Sequence, residues 1–301
     1  MANIYPKIYF DSQLVPSSEA TLHVASSAVL YGLSVYTVFH VTVQDDKYYA
    51  FRLKDHFKRL IDSCRIIGID TFGRDWSYEA FEADMKELLH ANKPTQNVFV
   101  RASFHVNELL PGTRSRGLKT SLSAFVYDAE AIVPTDGAKL KTSVWRRTPD
   151  YSIPSRAKVN GAYVNSVLAR QDAIDSGYDD CILLDSSGHV AELSAANIFI
   201  VRSGTLITPD TNTDILEGIN RRTIIELAEN LHIPIAQRSI DLTELYIADE
   251  VFICGTSAFL TPVIMVDARE VKAPENGVTS KLANVYYKAL RSPNSSYQVL
   301  L

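Results

Sequence analysis

Cysteine is scarce in this chain, and no cysteine pair has the spacing of a disulfide framework or a metal site. The three cysteines, Cys64, Cys181 and Cys254, lie far apart, and none belongs to a CxxC motif. An odd number of isolated thiols among apolar residues predicts buried, free cysteines in a reducing compartment. We therefore expect a cytoplasmic protein.

Motifs that hold phosphate or metal at a fixed spacing are also missing. The chain contains no GxxxxGKS/T, no GxGxxG after a strand, no HExxH and no GxSxG, and its seven histidines are scattered singly. These absences argue against P-loop, Rossmann, zincin and α/β-hydrolase chemistry. We expect no catalytic metal.

Positive charge is not in excess, and no long hydrophobic run occurs. Lys+Arg 30 against Asp+Glu 35 gives a net charge of −5, without a basic tail or patch. The start, MANIYPKIYFDSQLV, lacks the apolar segment of a secretory signal, and no stretch approaches the length of a membrane span. We predict a protein that binds neither nucleic acid nor membranes.

The chain length, 301 residues, suggests about two domains. An amphipathic helix with Leu53, Phe57, Leu60 and Cys64 on one stripe and an alternating strand in NVFVRASFHV predict a small α+β domain over residues 1–128. Pro134 and Gly137 mark an interdomain linker at 129–137. A larger domain is predicted over 138–301.

The larger predicted domain reads as a helix, a strand meander and two further helices. A helical pattern follows Lys158 and stops at Gly177, and short strands are joined by Ser-Gly turns at 187–188 and 203–204. GINRRTIIELAENLHI and SKLANVYYKALRS then predict the two helices. No internal repeat is present.

Lys158 is one residue of this domain that could carry chemistry. It follows Pro154 and Ser155 and precedes Asn160 and Gly161, so its amine could project inward from a turn. A lysine of lowered pKa forms a Schiff base with an aldehyde. A solvated surface lysine fits the same local sequence, and the local sequence does not decide between the two.

Glu192 is the second such residue. It lies in GHVAELSAANIFIV among Val190, Ala191 and Leu193, which predicts burial. A buried carboxylate needs a cationic partner, and a protonated pyridine nitrogen would supply one. The alternative is a carboxylate that faces water from a strand end.

From Glu192 onward the chain resembles class IV, fold-type IV pyridoxal-phosphate aminotransferases. Segments similar to this family cover nearly the whole chain, including YGLSVY, FRLKDHFKRLIDS, SRAKVNGAYVNSVLA and LYIADEVFICGTSAFLTPV. Within the family it is most similar to branched-chain amino-acid aminotransferases. The signature positions are Glu192, Ser194, Asn197, Phe199, Leu206, Thr208, Leu216, Gly218, Ile219 and Arg221.

The resemblance implies an α/β fold with a small α+β N-terminal domain and a larger barrel-like C-terminal domain. It also implies pyridoxal 5′-phosphate as cofactor and a homodimer or an assembly of dimers. Lys158 would form the Schiff base with the cofactor and move the proton, Glu192 would face the pyridine nitrogen, Tyr163 would donate to the ring oxygen, and Arg59 would bind the phosphate. Further cofactor contacts are implied for Ser194, Asn197, Leu216, Gly218, Ile219, Asn220, Gly255 and Thr256.

Without the resemblance, Tyr163 would be a packed helix residue and Arg59 a solvated helix cation beside Lys58. The remaining phosphate contacts are expected at Ile219 and Asn220, because the N-terminus of a helix favours an anion, and at Thr256. Gly218 and Gly255 would then allow close approach of the backbone.

The family positions for substrate are aromatic residues, one arginine and two backbone amides. Phe99 and Arg101 lie two apart, so both point to one face of a strand, and this pattern goes with carboxylate recognition in the branched-chain enzymes. The implied substrate contacts are Tyr31, Tyr36, Phe99, Arg101, Tyr127, Ser257 and Ala258.

Several positions depart from the branched-chain pattern. Tyr36, Thr37 and Val38 stand where many of those enzymes continue SVFEG, and Tyr127 stands where a tryptophan is frequent. The loop at 108–117, with Arg114 and Arg116, either covers the site or is a solvated basic loop. The substrate pocket is therefore expected to be altered.

The function that follows is a transaminase working by a ping-pong cycle through Lys158. It would move an amino group from an amino donor, a branched-chain L-amino acid, to a 2-oxo acid acceptor such as 2-oxoglutarate. A D-amino-acid or (R)-amine transaminase and a 4-amino-4-deoxychorismate lyase of the same fold are alternatives. A catalytically silent metabolite-binding homologue is the non-enzyme alternative, and the joint presence of Lys158, Glu192, Tyr163 and Arg59 argues against it.

Overall fold

The computed structural model describes residues 3–71 and 76–301, and the chain forms two compact units. The first unit comprises Met1–Glu130, Ala157–Ala162 and Leu290–Leu301, and the second comprises Ala131–Arg156 and Tyr163–Ala289. Two later segments thus return to the first unit, a feature that local patterns do not reveal. The linker at 129–137 stays a prediction.

In the part of the chain that the structure describes, the first unit is a seven-stranded antiparallel sheet with three helices. The strand order is β16-β4-β3-β5-β6-β1-β2. The strands are β1 (Ile4–Phe10), β2 (Gln13–Pro16), β3 (Ser34–Gln44), β4 (Lys47–Phe51), β5 (Val98–Val106), β6 (Thr120–Asp128) and β16 (Gln298–Leu300). The helices are α1 (Ser27–Tyr31), α2 (Leu53–Ile67) and α3 (Tyr78–Asn92).

The core of this unit lies between one face of the sheet and helices α2 and α3. The predicted stripe of α2 is confirmed, because Leu53, Leu60 and Cys64 are fully buried and Phe57 packs against the same cluster. The helix ends where Gly68 takes a left-handed φ of +76°. The positions of α2 outside this apolar stripe are available for polar contacts.

The beginning of β3 pairs with the segment that carries Lys158. Strand β4 pairs only with Val41–Gln44 of β3, so the edge beside Ser34–Tyr36 is open to another segment. Val159 forms an antiparallel bridge with Val35, and the Tyr36 N–H donates to the Lys158 carbonyl at 3.0 Å. Lys158 is therefore fixed by strand-like pairing, and the next helix begins only at Tyr163.

The second unit is a nine-stranded mixed sheet with four helices. The path is β12-β11-β10-β13-β14-β7-β8-β9, with β15 paired to β14. The strands are β7 (Ala138–Arg146), β8 (Asp180–Leu184), β9 (Val190–Leu193), β10 (Asn197–Arg202), β11 (Thr205–Thr208), β12 (Ile235–Gln237), β13 (Glu250–Gly255), β14 (Phe259–Val266) and β15 (Arg269–Glu270). The helices are α4 (Tyr163–Asp175), α5 (Ile219–Asn230), α6 (Leu242–Leu245) and α7 (Val278–Arg291).

The sheet of the second unit curls back on itself, which confirms the barrel-like prediction. Strand β9 ends the path, yet residues 194–196 join it directly to β10 near the other end. The Leu193 N–H donates to the Ala196 carbonyl at 2.8 Å across this turn. Within the described ranges, no helix is long and apolar enough to cross a membrane.

Glu244 on α6 joins two arginines of the second unit. Its carboxylate accepts from Arg238 Nη2 at 2.7 Å and from Arg202 Nη1 at 2.9 Å. These hydrogen bonds, that of Arg238 first, lower the pKa of Glu244 to about 2. The cluster therefore ties α6 to β10 and to the residue that follows β12.

We expect Glu244→Gln to lower the free energy of unfolding at neutral pH, and this loss to vanish in acid. A carboxyl with a lowered folded pKa stabilises above its ordinary pKa of 4.5, and that stability is lost as pH falls through about 2. Urea unfolding of wild type and variant across this window measures the difference. Glu270→Gln, at an exposed carboxylate on β15, is the control. A difference that stays constant down to pH 2 would contradict the prediction.

Candidate active site

Lys158 is held by α2 and β3 within the first unit. Its N–H donates to Ser63 Oγ at 3.0 Å, and Ser63 Oγ donates to the Arg59 carbonyl at 2.8 Å. Its Nζ lies 4.8 Å from the centroid of the Tyr36 ring. The backbone of the lysine is thus fixed, and its amine rests over an aromatic ring.

Arg59 lies on the same helix, four residues before Ser63. Its Nη2 donates to Thr37 Oγ1 at 3.3 Å, and Thr37 Oγ1 shares a hydrogen bond of 2.8 Å with His56 Nδ1. Thr37 is one of the departures from the branched-chain pattern, and here its hydroxyl contacts the arginine. A guanidinium positioned in this way suits a phosphate dianion.

Arg101 is a second cation beside Tyr36. Its guanidinium carbon lies 3.6 Å from the centroid of the Tyr36 ring, and its Nη2 donates to Asn160 Oδ1. Neither partner carries a negative charge. Burial, and to a smaller extent the positive charge of Arg101, lowers the pKa of His105 on the same strand to about 4. Arg101 therefore keeps its positive charge for an anionic ligand.

The other predicted aromatic residues differ in their placement. Phe99 is fully buried, and its ring centroid lies 5.6 Å from that of Tyr127. Both share a sheet face with Arg101, as the register of β5 and β6 requires. Tyr31 lies on α1 with 48% of its surface exposed. Phe99 and Tyr127 are thus packed within the unit, whereas Tyr31 lies at its surface.

Glu192 lies buried on β9 of the second unit, with 7% of its surface exposed. Its Oε1 accepts from Arg147 Nε at 2.7 Å, and its Oε2 accepts from Asn197 Nδ2 at 3.0 Å and from the Leu216 N–H at 3.1 Å. The expected burial and cationic partner are therefore present. The cation within the chain is Arg147, which the sequence reasoning missed.

The N-terminus of α5 is open to an anion. Gly218 precedes the helix, no side chain of the described residues caps it, and its first turn has no acidic residue. A Cβ on Gly218 would overlap Asn197 Oδ1, and Asn197 is itself held by Glu192 and the Leu216 carbonyl, so glycine is favoured here. Arg221 is buried, and its Nε has no hydrogen-bond partner within the described part of the chain. Unpaired N–H donors at this terminus attract a negative group.

The remaining predicted contacts lie on two adjacent turns and at the start of α5. The backbone at Gly255 lies close to that at Ala195, since a Cβ on Gly255 would be 3.2 Å from the Ala195 carbonyl oxygen. The turn at 256–258 therefore lies next to the turn at 194–196. Ser194 is buried on the latter turn. The Ser257 carbonyl accepts from the Ile132 N–H at 3.0 Å. The other predicted residues here are Thr256 and Ala258 on the first turn, Ile219 and Asn220 on α5, and Tyr163, which begins α4.

The loop at 108–117 is anchored at its end, where the Gly117 N–H donates to Asp70 Oδ1 at 2.8 Å. Its role as a cover for the site or as a solvated loop stays a prediction. No group of three or more metal-ligating side chains occurs among residues 3–71 and 76–301.

We expect Arg147→Met to destabilise the second unit by about 3 kcal/mol, because it leaves the carboxylate of Glu192 buried without its cation. Arg146→Met is the matched control, since Arg146 is the adjacent, exposed residue. Adding Glu192→Gln to Arg147→Met should recover part of the loss. Urea unfolding of the four proteins measures these differences. Equal effects of the two arginine variants would contradict the assignment.

The chain is similar to known proteins along nearly its whole length. The family model described as amino-transferase class IV matches residues 34–266. A probable branched-chain-amino-acid aminotransferase of Aquifex aeolicus (strain VF5) is 35% identical over 295 residues, which cover 96% of this chain and 94% of that protein.

Solved structures agree with this. A crystal structure of the branched-chain aminotransferase of Thermoproteus uzoniensis with norvaline has a TM-score of 0.93 and 32% identity, covering 99% of each chain. The branched-chain amino acid aminotransferase of Thermobaculum terrenum in its PLP-form has a TM-score of 0.89 and 28% identity, covering 99% of this chain and 98% of that chain. The predicted fold-type IV architecture is thereby confirmed, and the chain belongs to the class IV aminotransferases.

Proposed function

We propose that this protein is a pyridoxal-phosphate-dependent transaminase that takes its amino group from branched-chain L-amino acids. The observation that carries the proposal is the buried Glu192 carboxylate, which three donors hold beside the open start of α5. The related Thermobaculum terrenum structure is described as a PLP-form, and another related branched-chain aminotransferase structure is described with pyridoxamine 5′-phosphate.

The residues present fit this cofactor. Within the second unit, the glycine-lined start of α5 offers N–H donors for a phosphate, and Glu192 offers a negative charge for a protonated ring nitrogen. Arg59 of the first unit is proposed as a further ligand of the phosphate. When bound, the cofactor draws electrons from the bond that breaks at the substrate Cα. Ser194, Asn197, Leu216, Ile219, Asn220, Gly255 and Thr256 are the further proposed cofactor contacts.

Lys158 and Tyr163 are the proposed groups that act at the reacting end of the cofactor. Lys158 attaches the cofactor through Nζ and, once the substrate amine has replaced it, carries the proton at that nitrogen. Its backbone is fixed to Ser63 and Tyr36, so the side chain moves from one fixed Cα position. The Tyr163 hydroxyl is proposed to donate to the ring oxygen of the cofactor.

The substrate proposal rests on Arg101 and the aromatic residues on its sheet face. A cation held by a ring and a neutral amide attracts a carboxylate, and Tyr36 and Tyr127, with the buried Phe99 packed beside them, are proposed as an apolar wall for a branched side chain. Ser257 and Ala258 are proposed to add backbone N–H donors. The acceptor is a 2-oxo acid, which we propose to be 2-oxoglutarate.

We expect L-leucine to discharge the visible absorption band of the holoenzyme, and 2-oxoglutarate to restore it. D-alanine and (R)-1-phenylethylamine should leave the band unchanged. Stopped-flow absorbance with each compound measures these half-reactions. Discharge by D-alanine or by the amine alone would overturn the substrate proposal.

Lys158→Ala is expected to lower the half-reaction rate at least about a thousandfold, since it removes the attaching and proton-carrying group. Borohydride reduction of the wild type should leave the pyridoxyl mass on the Lys158 peptide. Lys141→Ala, which removes a surface lysine paired with Asp172, is the control. Turnover by Lys158→Ala at the control's rate would contradict the role of Lys158.

We also propose that two copies of the chain associate through an apolar surface of the first unit. This surface is formed by α1, the segment before it and the start of the loop at 108–117, which are joined where the Leu110 N–H donates to the Ala25 carbonyl at 3.2 Å. Its side chains are well exposed, and exposed apolar patches of this kind mark interaction sites. They are Val24, Val29, Leu30, Tyr31, Leu109 and Leu110.

We expect the wild type to have twice the 33.5 kDa mass of the chain, or a multiple of that mass, in light scattering. The double variant Val24→Asp, Leu110→Asp should be a monomer, because each residue exposes 74% of its surface and a carboxylate there opposes burial. Ile247→Asp, at an exposed apolar residue of the second unit, should leave the mass unchanged. A wild-type monomer would refute the proposed association.

The proposed location is the cytoplasm. All three cysteines are buried and free, as the sequence analysis expects of a reducing compartment. Burial raises the pKa of each thiol, so none is a reactive thiolate.

A further inference from the structure

Asn160 lies between the segment that carries Lys158 and the guanidinium of Arg101. Its Oδ1 accepts a short hydrogen bond from Arg101 Nη2, and its Nδ2 donates to Ser34 Oγ at 2.6 Å. Arginine has only donors, so the amide oxygen must face Arg101 and the amide nitrogen must face Ser34. The orientation of the Asn160 side chain is therefore fixed by its two neighbours.

The backbone of Asn160 is fixed as well. Its N–H donates to the Ser34 carbonyl at 2.9 Å, and the Gly161 N–H donates to the Gly32 carbonyl at 3.3 Å. A Cβ on Gly161 would lie 3.1 Å from the Gly32 carbonyl oxygen. The beginning of β3 therefore holds both the main chain and the side chain of Asn160, which makes its amide oxygen a rigid acceptor.

Arg101 depends on such an acceptor for its orientation. The Tyr36 ring at 3.6 Å restrains the plane of the guanidinium but not its rotation within that plane. A directional hydrogen bond to one Nη supplies the missing restraint. Asn160 is neutral, so it fixes the orientation of the Arg101 guanidinium without neutralising its charge. The remaining N–H donors of Arg101 can then bind a carboxylate through two hydrogen bonds.

We propose that Asn160 is a positioning residue that sets the orientation of Arg101 and thereby the affinity of the site for the substrate carboxylate. The inference rests on the proposed function, in which Arg101 binds that carboxylate. It assigns to Asn160 a role in substrate binding that is separate from the attachment of the cofactor at Lys158. A fixed cation binds more tightly than a mobile one, because less side-chain freedom is lost on binding.

The test uses the holoenzyme and 4-methylpentanoate, a carboxylate with the leucine side chain and no amine, with Kd measured by calorimetry. Asn160→Ala should raise Kd about tenfold, the value of one hydrogen bond to a charged group. Arg101→Ala should raise it further. In the Arg101→Ala background, Asn160→Ala should add nothing, because the two residues act as one unit. The cofactor band of Asn160→Ala should match the wild type, and its Tm should fall only slightly.

Asn160→Asp tests the same idea with a side chain of the same shape. A carboxylate at this position pairs with the guanidinium and competes with the ligand, so Kd should rise more than in Asn160→Ala. Asn92→Ala is the matched control, because the side chain of Asn92 also forms hydrogen bonds in the first unit, but to the backbone carbonyls of Lys7 and Leu88 and far from Arg101 in sequence. Its Kd should be that of the wild type.

The outcomes separate this inference from the proposed function. If Arg101→Ala alone leaves Kd unchanged, Arg101 does not bind the carboxylate and both proposals fall. If Arg101→Ala weakens binding but Asn160→Ala and Asn160→Asp do not, only the role of Asn160 falls. Additive effects in the double variant would likewise overturn it. If Asn160→Ala does not fold, Asn160→Asp decides.

Discussion

The charge of one buried carboxylate constrains the second unit. Glu192 is out of water, and a carboxylate in that position is tolerated only when donors surround it. Those donors come from three separate places: Arg147 just after β7, Asn197 at the start of β10, and the Leu216 backbone just before α5. A single charge therefore fixes the positions of three chain segments. It also explains Gly218, because Asn197 Oδ1 fills the space that a side chain there would need.

In the first unit, aromatic and neutral polar groups contact the positively charged side chains. The Tyr36 ring lies within cation–π distance of both Lys158 and Arg101, so two positive side chains share one uncharged partner. An acidic partner would have neutralised Arg101 and weakened its attraction for a ligand anion. The ring of Tyr36 and the amide of Asn160 instead hold this guanidinium, which leaves its charge available to a bound molecule.

Features that depend on the spacing of nearby residues could be predicted from the sequence. Contacts between residues far apart in the chain could not. The family, the fold class, the buried stripe of α2 and the burial of Glu192 were all predictable, because each is a pattern over a few residues or a motif at fixed intervals. The pairing of Arg147 with Glu192 was not predictable, because the two residues lie 45 positions apart and the adjacent Arg146 is an arginine as well. The return of residues 157–162 to β3 was missed for the same reason. The roles of individual site residues and the linker at 129–137 remain predictions.

The backbones of Gly32 and Gly161 lie in close contact, which limits the residues that can occupy these positions. A Cβ on Gly32 would lie 2.8 Å from the Gly161 Cα, and Gly32 also has a left-handed φ of +64°. A methyl group on Gly32 would push the chain carrying Lys158 away from β3, whereas one on Gly161 would make a tight contact with the Gly32 carbonyl. Gly32 therefore influences the placement of Lys158 without contacting a ligand, and the backbone that passes it limits which residues can replace it.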